Sequence, residues 1–130
     1  MGNPLEKKLG FKEGMKIFLV NPPEDYFTLF EILPEIKYVE EPEPNEIDFV
    51  HFFTKDIDEL KQMVPELKKL IHKQGMIWIS WPKKSSGVET TVSGNEVRKY
   101  GLETGLVDVK VCSINDIWSA TRFVYRLKDR

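Results

Sequence analysis

The densest group of ligand-holding side chains in this sequence is Trp81-Pro82-Lys83-Lys84-Ser85-Ser86-Gly87. An indole wall, two ammonium groups and two hydroxyls before a glycine suit an anionic or planar ligand. A solvated loop is the competing reading of the same residues. Asn21-Pro22-Pro23-Glu24-Asp25 has the opposite character, because its prolines lack N–H donors and its two carboxylates repel phosphate. His51 lies inside an apolar run and reads as a hydrogen-bonded core histidine, with a catalytic base as the rival reading. His72, near an expected helix end, suits the negative pole of the helix dipole. Cys112, with Lys110 and Asp108 expected on its face, reads as a small buried hydrophobe or as a thiol activated by the ammonium. No serine stands at a nucleophile-elbow turn and no His/Cys spacing suits a metal, so neither a catalytic residue nor a metal ligand is assigned.

The chain that must position these groups has 130 residues, of which 41% are hydrophobic and 31% charged. That is one domain, residues 1–130, with material for a real core. Nineteen Lys plus Arg against 21 Asp plus Glu give a net charge of −2, which argues against nucleic-acid binding through bulk charge. Lys83, Lys84, Arg98, Lys99, Arg122 and Arg126 form no single basic run either. The lone cysteine suits a reducing compartment, and no apolar run approaches membrane-spanning length. These features predict a cytoplasmic protein that does not engage a membrane.

Met15 to Val20 is a nearly continuous apolar run, the pattern of a strand covered on both faces. Asn21 and Pro22 then read as cap and first position of a helix that carries Tyr26, Phe27, Leu29, Phe30, Ile32 and Leu33 and ends before Pro34. Ile36 to Val39 is a short second strand, followed by the acidic connector Glu40 to Glu46. The connector is short for a parallel crossover, so it runs extended across the sheet end or the second strand is a stub. Ile47 to Phe53 is the third strand. Asp56 and Glu59 make a capping-box pair before Ile57, Leu60, Val64, Leu67 and Ile71 at helical spacing. Pro65 should kink this helix and Gly75 should end it. Met76 to Trp81 is the fourth strand, and Ser93 with Glu96 starts a further helix that ends near Gly101 or Gly105. Val107, Val109 and Val111 alternate with polar residues, as do Phe123, Tyr125 and Leu127, which predicts a closing antiparallel hairpin.

Leu9-Gly10-Phe11-Lys12-Glu13-Gly14-Met15, Met76-Ile77-Trp78-Ile79-Ser80-Trp81-Pro82-Lys83-Lys84, Gly105 to Cys112 and Trp118-Ser119 are similar to segments of a family of short Rossmann-like proteins with no assigned activity. The order of elements also resembles a shortened class I methyltransferase, the fold that binds S-adenosylmethionine. The resemblance implies a single α/β domain of about six strands in the order 2-1-3-4-6-5, mostly parallel with an antiparallel C-terminal hairpin. It also implies a ligand at the carboxyl ends of the strands, where strand order reverses. Asn21, Pro22, Thr54, Lys55, Trp81, Lys83, Lys84, Ser85 and Ser86 would then border the site. S-adenosylmethionine is disfavoured, because its glycine-rich turn is replaced by Asn21-Pro22-Pro23. Glu40 or Glu41 fits a ribose-binding acid, although four acids lie between Glu40 and Glu46. The leading expectation is a non-catalytic or vestigial Rossmann-like module that binds a small anionic or nucleoside-like ligand at the carboxyl ends of the strands. The rivals are an interaction domain that homodimerises through its hairpin edge and a divergent S-adenosylmethionine-dependent methyltransferase.

Overall fold

Ile47–Phe53 forms β3, and six of its seven residues are buried. A strand so apolar can sit only where both faces are covered, and in the computed structural model, which describes residues 4–130, it is central. It pairs in parallel with β1 (Lys16–Val20) on one side and with β4 (Ile71–Pro82) on the other. β2 (Lys37–Tyr38) adds two residues beyond β1. The hairpin of β5 (Leu106–Ser113) and β6 (Trp118–Tyr125) joins antiparallel to β4. The six-stranded order β2-β1-β3-β4-β6-β5 is the expected one.

Successive strand residues point to opposite faces, and the two faces are covered differently. Val50, Phe52, Ile77, Ile79 and Phe123 meet α2 (Ile57–Leu70) and α3 (Gly94–Glu103) in the larger core. Leu60, Val64 and Leu67 of α2 are fully buried there, each contributing about 1.5–3 kcal/mol of transfer free energy. On the opposite face Ile17, Phe49, Trp78 and Ala120 lie beneath Leu9 and Phe11, from and just after the short helix α1 (Leu5–Leu9). The Trp78 indole N–H donates to the Leu9 carbonyl at 2.8 Å. Among the described residues no helix is long and apolar enough to cross a membrane.

Several expected elements take another form. The helix from Asn21 to Leu33 is absent; only a 3₁₀ turn, Tyr26–Leu29, forms. Asn21 is left-handed at φ 55°, so it cannot serve as an ordinary cap, and Phe30 is extended. The extended chain spreads Phe30, Leu33 and Ile36 across a sheet face that a helix of the same length would cover less completely. The Glu6 carboxylate holds it there, accepting the Glu31 and Ile32 N–H groups at 3.3 and 2.9 Å. The second strand is the stub.

Asp56 caps α2 through the Asp58 N–H, whereas Glu59 turns away to Thr54 and Asn21, so no capping box closes. The helix continues through Pro65 to Leu70 and passes directly into β4. Gly75 therefore ends no helix. It lies in a bulge where residues 72–75 stand opposite Asp48 alone, and a Cβ there would meet the Ile47 carbonyl at 2.9 Å. His72 consequently leaves the helix end and binds Asp48 through Nε2 at 2.5 Å. A second irregularity, between Asp108 and Lys110, breaks the expected alternation in β5. Asp108 turns toward Arg98 of α3, while Lys110 reaches the Lys8 carbonyl on the other side, so the two do not share a face. Val109 and Val111 are left exposed on the edge strand.

Gly101 sits inside α3 against the Phe123 ring, where an added Cβ would fall 2.1 Å from Cε1. Alanine favours an ordinary helix interior by about 1 kcal/mol. Here Gly101→Ala should nevertheless destabilise the domain by about 1–3 kcal/mol through overpacking, measured as a lower urea midpoint. Phe123→Leu in the same chain should recover part of that loss.

Candidate functional site

The carboxyl ends of β1 and β3 diverge into a crevice of about 490 Å³, lined by Asn21, Pro22, Pro23, Phe53, Thr54, Lys55, Asp56, Glu59 and Trp118. Asn21 bends the chain here in a backbone region where glycine is ordinarily required, and asparagine is among the few other residues that enter it at low cost. Its side-chain amide donates to the Phe53 carbonyl and to Glu59 Oε2, both at 3.1 Å. The other Glu59 oxygen accepts the Thr54 hydroxyl at 2.8 Å. The turn after β1, the end of β3 and the first turn of α2 are thus tied to one carboxylate. Phe53 and Trp118, edge to face at 5.0 Å, supply the apolar wall.

Beneath Phe53 lies a sealed polar row. His51 is fully buried and stacks on Phe53 at 4.2 Å. Its Nδ1 meets the Tyr26 hydroxyl at 2.9 Å and its Nε2 meets Ser80 Oγ at 2.7 Å. A neutral imidazole satisfies both partners by accepting at one nitrogen and donating at the other. Burial pushes the His51 pKa down to about 3 and raises that of Tyr26. His51 is therefore the core histidine of the first reading, supporting the crevice from below without opening into it. Cys112 is half-buried, and its burial raises the thiol pKa against the opposing pull of Lys110. That direction runs against the activated-thiol reading.

The structure divides the expected site residues into two groups and sets some aside. Asn21, Pro22, Thr54 and Lys55 meet in the first crevice. Trp81 and Lys84 line a second one of about 380 Å³ with Thr90, Val92, Ser93 and Glu96. Between the two, the Lys55 carbonyl accepts the Thr91 N–H and the Thr90 hydroxyl. Lys83 borders neither. Its ammonium donates to Ser113 Oγ at 2.6 Å and to the Asn115 carbonyl at 2.7 Å, pinning the β5–β6 turn. Ser86 closes its own turn onto the Lys83 carbonyl, and Ser85 is exposed outside both crevices. Glu40 and Glu41 are exposed beyond β2, away from the crevice lining.

Pro23, Phe53, Asp56, Glu59 and Trp118 are the lining residues that the expected constellation lacked. The antiparallel sense of β6 carried a signal for Trp118, since the first residue of such a strand lies at the carboxyl end of its parallel neighbours. Glu59 was assigned to a cap instead.

No protein-family model matches the chain, and no curated protein matches it by sequence. Solved structures do. An S-adenosylmethionine-dependent methyltransferase from Aquifex aeolicus aligns with a TM-score of 0.63 at 15% identity over 92% of this chain and 86% of that one. The fold is methyltransferase-like. A putative type 11 methyltransferase from Sulfolobus solfataricus gives 0.59 at 11% identity over 86% and 85%. The Burkholderia thailandensis 1,6-didemethyltoxoflavin-N1-methyltransferase, solved with S-adenosylhomocysteine, gives 0.60 at 11% over 92% and 73%. The likeness is one of architecture, and it covers nearly the whole described chain.

A histidine held neutral in the fold makes stability depend on pH. An unfolded histidine titrates near 6.5, so between that pH and about 3 the unfolded chain binds a proton that folded His51 refuses. Stability should be full above pH 6.5 and fall on acidification by up to about 1.4 kcal/mol per pH unit. Urea midpoints at pH 7.5 and 5.0 test this; His51→Gln should show a clearly smaller difference between them, and parallel behaviour would refute the assignment.

Proposed function

We propose that this chain is a divergent S-adenosylmethionine-binding protein of the methyltransferase-like fold, with the crevice between the β1 and β3 ends as its ligand site. The observation that carries the reading is the left-handed Asn21, which gives the turn after β1 the bend that a glycine would otherwise supply. The residues present also fit the chemistry of the ligand. Asp56 and Glu59 outnumber the single Lys55 in the lining, which favours a sulfonium and an ammonium over a phosphate. Trp118 and Phe53 would take the planar base. Lys55 would take the carboxylate that the N–H-less Pro22 and Pro23 cannot. When bound, the cofactor supplies an electrophilic methyl group on sulfur; the chain's own part is to hold it and exclude water.

A binding module that performs no transfer is the second reading. It is favoured by the sealing of His51 and Tyr26 beneath Phe53, which leaves no imidazole or phenol in the crevice lining. The preference for an anion expected from the lysine pair weakens, because Lys83 is engaged with the hairpin.

Titration calorimetry with S-adenosylmethionine and S-adenosylhomocysteine tests the proposal. Both should bind saturably and raise the melting temperature, by a stabilisation of about 2.7 kcal/mol at a hundredfold excess over Kd. Glu59→Gln should weaken the cationic S-adenosylmethionine about tenfold more than the neutral thioether, the loss of roughly one charge-assisted contact. Absence of binding by either compound at millimolar concentration would overturn the reading.

A further inference from the structure

The opposite end of the sheet holds a separate cavity of about 260 Å³, whose lining includes Lys73, Met76, Val109, Arg122, Val124 and Arg130. Its construction follows from the two irregularities of the sheet. The β4 bulge lifts Lys73 and Gln74 off the ladder, and the irregularity in β5 precedes Lys110, beside Val109. Arg122 projects between them from β6, its guanidinium 5.9 Å from the Trp78 ring. Lys73 lies over the Tyr125 ring at 5.0 Å, and Arg130 Nε donates to the Tyr125 carbonyl at 2.9 Å.

Three cationic side chains line this cavity and no acidic side chain does. None of the three belongs to an ion pair among the described residues. Arg122 Nε is in addition buried without a hydrogen-bond partner, alone in this among the described side-chain atoms. A buried donor with no acceptor costs about 1–3 kcal/mol, and like charges brought together add to that. The gathered positive charge of the three side chains is relieved by an oxyanion, which offers several acceptor lone pairs and opposite charge at once. Met76, Val109 and Val124 make the remaining wall apolar.

We propose that this cavity is a binding site for a small phosphate monoester, its phosphate on Arg122, Lys73 and Arg130 and a short carbon skeleton against Met76 and Val124. The site is independent of the crevice at the β1 and β3 ends and requires nothing of the ligand bound there.

The experiment measures binding of inorganic phosphate and glycerol 3-phosphate by calorimetry and chemical-shift titration at low ionic strength. Both should bind saturably, glycerol 3-phosphate more tightly. Lys73→Ala with Arg130→Ala removes two exposed cations and should weaken both probes at least tenfold, leaving the melting temperature and any S-adenosylmethionine binding unchanged. A control of equal charge loss, Lys12→Ala with Lys128→Ala, should leave phosphate binding within twofold. Arg122→Gln should abolish binding, with retained folding checked by amide dispersion. Failure of both probes to saturate by about 10 mM, or equal weakening in the control, would overturn the proposal. So would an oligouridine 20-mer that binds and is lost in the Lys73/Arg130 variant while the small phosphates do not bind, which would make the cavity a polymer contact.

Discussion

The parallel pairing of β3 with β4 is the constraint on which the remaining structure depends. Ile47–Phe53 and Met76–Ser80 are apolar almost throughout, and such strands are stable only when both faces are removed from water. Two layers must therefore be assembled from a short chain. One is made economically by α2 and α3; the other is made from α1, a 3₁₀ turn and extended chain. The thin layer is where helix propensity yields. Tyr26 has to reach His51, and Phe30, Leu33 and Ile36 have to spread over the sheet, demands that one helical stripe does not meet.

The polar groups in this core are few and paired. His51 alternates between apolar neighbours on β3, and it can be there because Tyr26 and Ser80 arrive from two other elements to satisfy its nitrogens. The same logic operates one layer up, where Glu59 accepts from Asn21 and Thr54 and so fixes the mouth of the crevice. The crevice is shaped by hydrogen bonds to a carboxylate rather than by a glycine-rich backbone. Its character is correspondingly more acidic than that of a site built from main-chain N–H groups.

The two ends of the sheet differ in charge for topological reasons. At the carboxyl ends, acids gather because Asp56 and Glu59 open α2, where the helix dipole favours them. At the amino end of β4, cations gather because the last turn of α2 is basic and the chain turns straight into a strand that carries Lys73 beside Arg122. A net charge of −2 conceals this separation.

The sequence by itself determined most of the strands and the antiparallel hairpin through residue periods of two and 3.6, and the Asp56 cap through its residue type, because such signals are local; the strand order came only from the resemblance to methyltransferases. It also grouped Asn21, Pro22, Thr54 and Lys55, which the structure brings together in one crevice. Tertiary structure decided the rest. Whether residues 22–33 coil into a helix depended on the area of sheet to be covered. Whether Gly75 ended a helix depended on a carbonyl from β3, and the partner of Lys83 was a turn 30 residues away. Trp118 entered the crevice, and Arg122 entered a cavity of its own, only through the registers of β6 on β4 and β5. Each of these outcomes is fixed by a contact between residues distant in the chain, and such contacts leave no periodic trace in the sequence around either partner.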